Sequence, residues 1–160
     1  PVTAVREIID VCKAFKVKLV AGDAGGGSVP NAMLAEALGR GSVYQFQYGA
    51  YRRQVMPGAD RLLVDRTSVI DTLMLTLKRQ HIFFPVVRQA RTAHDHILSM
   101  HEETTQAGNK VWRKAPMLPD DLFHGLVFAW LAARIARGEV RFYATSEEDE
   151  LGRHRLANED

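Results

Sequence analysis

The sequence predicts an α/β fold, and three observations carry that prediction. Residues 3–15 place apolar side chains three and four positions apart, as on the buried face of a helix. The apolar run 17–22 ends at Asp23 and three glycines, which indicates a buried strand and a turn. A helix over 28–38, which Ser28 or Asn31 can cap, and an alternating strand over 42–48 follow. Helix and strand alternating in this way favour a parallel sheet flanked by helices.

The rest of the chain continues with helices and short extended segments. The expected order is a connecting loop over 51–62, a helix starting at Thr67 or Ser68, a short extended piece at 82–85, a helix over 86–103, an extended segment over 110–114, a strongly apolar helix over 120–137 and a last strand over 140–143. Gly108 and Asn109 mark a turn before the extended segment. These elements are consistent with one α/β domain.

Composition predicts one domain and excludes several classes of protein. The chain has 160 residues, 46% of them hydrophobic and 25% charged, enough for one core. A single cysteine, Cys12, excludes an internal disulfide framework and a cysteine-based zinc site, and it is interpreted as core packing. No apolar run approaches the roughly 20 residues of a membrane span, and no signal-peptide pattern opens the chain. The sequence therefore predicts a cytoplasmic protein without a membrane partner.

Charge divides the chain into a basic body, residues 1–144, and an acidic tail, residues 145–160, that is predicted to be flexible. The net charge is +2 although six acids lie in the tail. A basic body is compatible with DNA, since cations bind the phosphate backbone. The candidate DNA-binding residues, for each of which ordinary surface charge is an equal alternative, are Arg52, Arg53, Lys78, Arg79, Lys110 and Arg113, with Arg88, Arg91 and Lys114 behind them.

The strongest local feature is Asp23, an acid at the carboxyl end of a predicted strand. Ligands of open α/β sheets bind at this edge, so Asp23 is a candidate metal ligand. The alternative is that its side chain caps the turn while Gly25, Gly26 and Gly27 supply positive φ angles. Nucleotide binding is set aside, because no Gly-Lys-Ser or Gly-Lys-Thr follows.

A second feature is the pair Asp120 and Asp121 at the start of the apolar helix. Helix capping requires only one of the two acids, so the other is a candidate for a catalytic or metal-binding role. Asp121, His124 and Gly125 share a helix face, where Gly125 is expected to allow a neighbouring strand to approach closely. Carboxylates from a strand end and a helix start are the ligands that two-metal phosphodiester hydrolysis requires. Asp23 and Asp121 are therefore the predicted Mg²⁺ or Mn²⁺ ligands.

Two other polar clusters favour structural roles. Asp65-Arg66-Thr67 precedes a helix and is interpreted as a cap rather than a metal site. The histidines and acids between His94 and Glu103 are spread around several helix faces and are interpreted as a solvated surface.

The ordered motifs together resemble the terminase large subunits of tailed phages. These motifs are residues 20–27, Asp65-Arg66-Thr67 opening a helix that runs to Phe83-Phe84-Pro85, then Trp112, and finally residues 119–126. The resemblance covers most of residues 3–137. It implies an RNase H-like mixed sheet flanked by helices, and a two-metal endonuclease that cuts concatemeric DNA during genome packaging in the host cytoplasm. The implied partners are double-stranded DNA, an upstream ATPase motor domain, the portal and the small terminase subunit.

The resemblance also implies three acidic ligands, of which this chain matches two. Asp23 corresponds to the acid that ends the fourth strand, and Asp121 to the acid that starts the last helix, with Asp120 as the substitute. His124 is the remaining catalytic candidate. The first-strand acid has no counterpart, so the fold is expected to lack its first strands, residues 1–144 form a partial domain, and the native polypeptide is expected to extend upstream of Pro1. Without that acid the chain by itself is expected to be a poor nuclease.

Two alternatives remain open from the sequence. One is another RNase H-like nuclease, such as a resolvase or a recombinase, which should bind junctions or DNA ends specifically. The other is a non-catalytic module that docks on DNA or on the portal.

Overall fold

The computed structural model describes residues 2–140, apart from the side chains of Val2 and Gln89. The acidic tail lies outside the described residues, as does the predicted last strand beyond Val140. The described helices and strands are α1 (Val2–Ala14), β1 (Val20–Asp23), α2 (Ser28–Leu38), β2 (Val43–Gly49), β3 (Val55–Pro57), β4 (Leu62–Asp65), α3 (Arg66–Lys78), α4 (Arg88–Leu98), β5 (Met100–Thr104), β6 (Lys110–Lys114) and α5 (Asp121–Ala136). The described chain is thus a mixed α/β structure, as the sequence predicts.

Four strands form a mixed sheet in the order β1-β2-β4-β3. The first three of these are parallel, with Asp23 beside Phe46 and Tyr48 beside Val64, and β3 runs antiparallel to β4. A separate antiparallel hairpin joins β5 to β6. The parallel pair β1–β2 is connected by the helix α2, whereas the parallel pair β2–β4 is connected through residues 50–61, which include β3. Both connections are long, as parallel strands require.

Helices cover the sheet on both faces. Phe46 and Tyr48 lie on one face, where both rings contact Phe128 of α5. On the opposite face, Ala32 of α2 and Gln45 of β2 line one shallow cavity. Alternate residues of β2 therefore point to different layers, as a strand requires. The α5 layer holds the main core, in which the fully buried residues are Phe46, Val64, Val69, Ile70, Leu73, Phe123, Val127 and Leu131.

The β5–β6 hairpin is fastened to α3 by polar contacts. The indole N–H of Trp112 donates to Asp71 at 2.6 Å, and Arg66 donates to the Trp112 carbonyl at 2.7 Å. Lys110 forms ion pairs with both Asp71 and Glu102. Trp112 is buried, so its N–H requires this partner.

Two predictions of secondary structure are wrong. The segment predicted as a loop contains β3 and leads into β4, because Leu62–Asp65 gains its partners from β2 and β3 rather than from any local periodicity. The helix predicted over 86–103 ends at Leu98, and Met100–Thr104 pairs with β6 across the turn at Gly108. The predicted extended piece at 82–85 has no regular structure.

No helix within residues 2–140 is long and apolar enough to cross a membrane.

Candidate functional site

The carboxyl ends of the parallel strands define one edge of the sheet. Asp23 ends β1, Tyr48 and Gly49 end β2, and Asp65 ends β4. The start of α5 reaches the same edge, because His124 bonds to Tyr48. This edge is therefore where loops and helix starts converge, as expected for a ligand site of an α/β sheet.

Asp23 is exposed and serves as a turn residue. Its Oδ2 accepts a hydrogen bond from the Gly26 amide at 3.1 Å. Its neighbour across the parallel ladder is Phe46, so Asp23 belongs to the sheet face that α5 covers. The Asp23 Oδ1 atom has no hydrogen-bond donor among the described residues. Turn capping and an available carboxylate oxygen thus coexist at this residue.

The glycines after Asp23 are not required for positive φ. None of the three has a positive φ angle, so this part of the alternative is wrong, whereas the predicted capping of the turn by Asp23 is confirmed. Space is the constraint instead, because a Cβ on Gly27 would lie 2.4 Å from the Asp23 carbonyl oxygen, whereas one on Gly26 would meet nothing within 4 Å. Asn31 fills the space beside Gly27 and donates to the same carbonyl at 3.0 Å. Neither Ser28 nor Asn31 caps α2, which starts after Gly27 without a side-chain cap.

Substituting Gly27 by alanine is expected to destabilise the protein by about 1–3 kcal/mol, because backbone atoms must shift to admit the methyl group. The matched change Gly26→Ala is expected to be neutral or slightly stabilising. Urea unfolding of the two variants tests this difference. If both variants lost the same free energy of unfolding, the close approach of Gly27 to the Asp23 carbonyl would not be the constraint at this position.

A chain of hydrogen bonds links β2 to the start of α5. The Tyr48 hydroxyl lies 3.2 Å from His124 Nδ1, and His124 Nε2 lies 3.3 Å from Asp120 Oδ2. Lys114 contacts the other Asp120 oxygen at 3.4 Å. Nothing in the sequence singles out Tyr48, which is one of three aromatic residues on an alternating strand. Its role depends on the packing of α5 against the sheet.

Burial shifts the pKa of both Tyr48 and His124 in this chain of hydrogen bonds. It is the main cause that raises the pKa of Tyr48, with the Asp23 charge raising it further and Arg66 opposing. Burial is also the main cause that lowers the pKa of His124, with Arg66 acting in the same direction and Asp120 and Asp121 opposing it. A protonated Tyr48 can donate to Nδ1 of a neutral His124, whose Nε2–H then donates to Asp120.

Stability is expected to fall on acidification below about pH 7, in part through His124. In the unfolded chain the His124 imidazole binds a proton near its ordinary pKa of 6.5, whereas in the folded chain it binds a proton only at lower pH. The contribution of neutral His124 to the free energy of unfolding is therefore complete above pH 6.5, and it is lost as the pH falls towards the pKa of the folded state. Urea unfolding at several pH values should show a shallower slope in His124→Gln. The matched change at exposed His101 should leave the slope unchanged. An unchanged slope in His124→Gln would contradict this assignment.

The first turn of α5 is capped by His96 rather than by an acid. The Leu122 amide donates to His96 Nδ1 at 3.2 Å, and the Asp120 side chain makes no capping bond. Capping therefore does not explain Asp120, which is held by His124 and Lys114 instead. Asp121 is exposed, with no hydrogen bond or ion pair to any described residue.

Two further expectations for this region are wrong. His96 is buried between α4 and α5, so the cluster of histidines and acids is not wholly a solvated surface. Gly125 is exposed, and a Cβ there would meet nothing within 4 Å, so no strand approaches it. The space around Gly125 is open because the face of α5 that packs on the sheet carries Phe128 instead.

Asp65 acts as a cap, as the sequence predicts. Its Oδ1 accepts from the Ser68 amide at 2.8 Å and its Oδ2 from the Tyr51 amide at 2.9 Å. Both oxygens are thus committed to ordering the start of α3 and the loop after β2.

Three carboxylates act electrostatically on the Tyr48–His124 pair. The Asp23 charge acts on Tyr48, while Asp120 and Asp121 act on His124. Within residues 2–140, no group of three or more histidine, cysteine, aspartate or glutamate side chains is arranged to hold a metal ion. The edge therefore offers the Asp121 carboxylate and one oxygen of Asp23 rather than a complete ligand set.

The candidate DNA-binding residues lie in three separate places. Arg52 and Arg53 follow β2 at the carboxyl edge. Lys78 and Arg79 lie at the far end of α3, which leads away from that edge. On the hairpin, Lys110 pairs with Asp71 and Glu102, and Arg113 pairs with Glu103, so their charges are already balanced. The structure does not gather the six residues into one surface.

No family model, no curated protein and no solved structure matches this chain.

Proposed function

We propose that this chain is the metal-dependent DNA endonuclease part of a phage terminase large subunit, built on an RNase H-like fold. The observation that carries the proposal is that Asp23 ends β1 and Asp121 starts α5, and that α5 reaches the carboxyl edge of the sheet through the bond between His124 and Tyr48. Both acids are exposed, and each keeps at least one carboxylate oxygen without a donor among the described residues. The resemblance of the ordered sequence motifs to terminase large subunits supports the choice of family.

The carboxylates of Asp23 and Asp121 are suitable ligands for a hard divalent cation, although two acids alone do not complete a site. Asp23 and Asp121 would hold Mg²⁺ or Mn²⁺, which prefer carboxylate oxygens, and the ions would activate water and stabilise the leaving oxygen of a phosphodiester. Asp120 is the poorer candidate, because Lys114 and His124 already occupy both of its oxygens. His124 is then a positioning residue that orients Asp120 next to Asp121. The two acids Asp23 and Asp121 are fewer than the three acidic ligands that the resemblance implies.

DNA would approach this edge over the loop after β2. Arg52 is exposed there, without an ion pair among the described residues, and a cation beside the carboxylates would contact the phosphate backbone. The ATPase motor domain, the portal and the small terminase subunit are proposed partners on the basis of the motifs alone.

Manganese binding tests the proposal before any cleavage assay. The free Mn²⁺ signal in electron paramagnetic resonance, titrated with protein, gives the dissociation constant. Asp23→Asn and Asp121→Asn should each weaken binding at least about tenfold, the loss that even an indirect partner of a metal site causes. The matched control is Asp10→Asn on the exposed side of α1. Equal binding by all three variants and the parent would sink the nuclease assignment.

The second candidate is a non-catalytic docking module, which the lack of a three-ligand group among residues 2–140 favours. Binding to labelled double-stranded DNA separates the two. A docking module should bind DNA equally well with Asp23→Asn and Asp121→Asn, with or without Mg²⁺. A nuclease should lose the part of its binding that depends on the metal.

A further inference from the structure

An apolar groove lies between the end of α3 and the start of α4. It encloses about 760 Å³ and is lined chiefly by Leu77, Ile82 and the segment 83–87. Phe83 is 85% exposed and Val86 is fully exposed, so the groove displays its apolar side chains to solvent. Apolar patches with a polar rim on a folded domain mark interaction sites.

The charged residues among the described lining of this groove are arginines. Arg88 and Arg91 line it, and Lys78 and Arg79 adjoin it at the end of α3. None of these four forms an ion pair with any residue in 2–140, and no aspartate or glutamate is among the described residues that line the groove. The unpaired guanidinium groups of Arg88 and Arg91 beside an apolar floor favour a partner that is both apolar and acidic.

We propose that this groove binds a segment of a partner protein that presents large apolar side chains flanked by carboxylates. Burial of the apolar side chains against Phe83 and Val86 would supply affinity. Pairing of carboxylates with Arg88 and Arg91 would set orientation and speed association. The groove accepts an amphipathic helix or a short extended peptide.

The floor of the groove favours a protein segment over single-stranded nucleic acid. Bases stack on exposed aromatic faces, but the Phe84 ring already makes an edge contact with His94 at 5.5 Å. The other prominent side chains, Val86 and Val87, are aliphatic and offer no stacking surface. Among the described lining residues, Phe83 is the aromatic side chain that is most exposed to a base.

The groove is separate from the carboxyl edge of the sheet. It begins where α3 ends, and α3 starts at the Asp65 cap, so its 13 residues place the groove about 20 Å from that edge. The inference therefore does not rest on the proposed nuclease function. It holds equally for a docking module.

Fluorescence polarisation with a defined peptide tests the apolar contribution. The probe is a fluorescein-labelled amphipathic peptide of about 16 residues, with leucines at helical spacing and glutamates elsewhere, and the protein is the full chain. We expect binding in the micromolar range. The double change Phe83→Ser and Val86→Ser should weaken it at least about tenfold. Leu98→Ser, at the 80% exposed Leu98 of α4, is the matched control and should bind normally.

A charge reversal tests the rim. Arg88→Glu with Arg91→Glu should also weaken binding at least about tenfold, whereas the same reversal at exposed Arg6 and Lys13 of α1 should have little effect. A matching peptide with lysine in place of glutamate should not bind the parent protein.

Three outcomes overturn the proposal. The first is the absence of saturable peptide binding below about 1 mM. The second is tight binding of a labelled oligothymidylate that the Phe83 and Val86 changes abolish, which would make the groove a nucleic-acid site. The third is self-association in sedimentation that the same changes abolish, which would assign the groove to a second copy of the chain.

Discussion

Replacing Phe46 with alanine is expected to lower the free energy of unfolding by about 4 kcal/mol, the loss typical of a buried phenylalanine. Phe46 is 0% exposed at the centre of β2, with its ring 5.4 Å from that of Phe128. Its removal opens a cavity between the sheet and α5. The helix start that carries Asp121 then loses its support.

Urea unfolding followed by circular dichroism measures this loss. The matched control is Phe15→Ala, which removes an equal side chain that is 78% exposed and should cost little. Phe46→Leu keeps most of the volume and should cost less than Phe46→Ala. Similar losses for Phe46→Ala and Phe15→Ala would contradict the assigned core.

Replacing His96 with alanine is expected to cost about 2 kcal/mol or more. The change removes the acceptor for the Leu122 amide, worth about 1 kcal/mol as a cap, and empties the space of a buried ring between α4 and α5. The loss should concentrate at the start of α5, beside Asp121.

Hydrogen exchange at the Leu122 amide gives a local measurement of the same change. Exchange there should accelerate in His96→Ala, whereas exposed His101→Ala should leave both exchange and stability unchanged. Asp120→Ala is the informative comparison, because it removes an acid at the same helix start that makes no capping bond. If Asp120→Ala exposed the Leu122 amide more than His96→Ala did, the assigned cap would be wrong.

Local signals predict part of the fold well. The first half of the parallel sheet follows from the apolar run that ends at Asp23, the glycines after it and the alternation along β2. The strand β4 escapes detection because only Leu62, Leu63 and Val64 are apolar, after a segment rich in turn residues. The strand β5 is polar, and its local signal is the turn at Gly108, which is compatible with a hairpin but does not by itself predict a strand before it.

The candidate site likewise contains some features that local sequence predicts and others that depend on tertiary contacts. The position of Asp23 at the carboxyl edge and the capping role of Asp65 follow from local sequence. The contact of His96 with the start of α5 and the bond between Tyr48 and His124 join residues 26 and 76 positions apart, so no local pattern contains them. Whether Asp120 caps its helix depends on the same tertiary contacts.

The two outer strands of the sheet have a consequence for handling the protein at high concentration. β1 has four residues and ends in the charged Asp23, and β3 has three and ends in Pro57, which lacks an N–H. Short edge strands that end in a charged residue or a proline offer few free amides and carbonyls to a strand of another molecule. Replacing Pro57 with valine would restore a backbone N–H to the edge strand β3, which could then pair with a strand of another molecule. Light scattering should therefore show more edge-to-edge aggregation, while the core is unchanged.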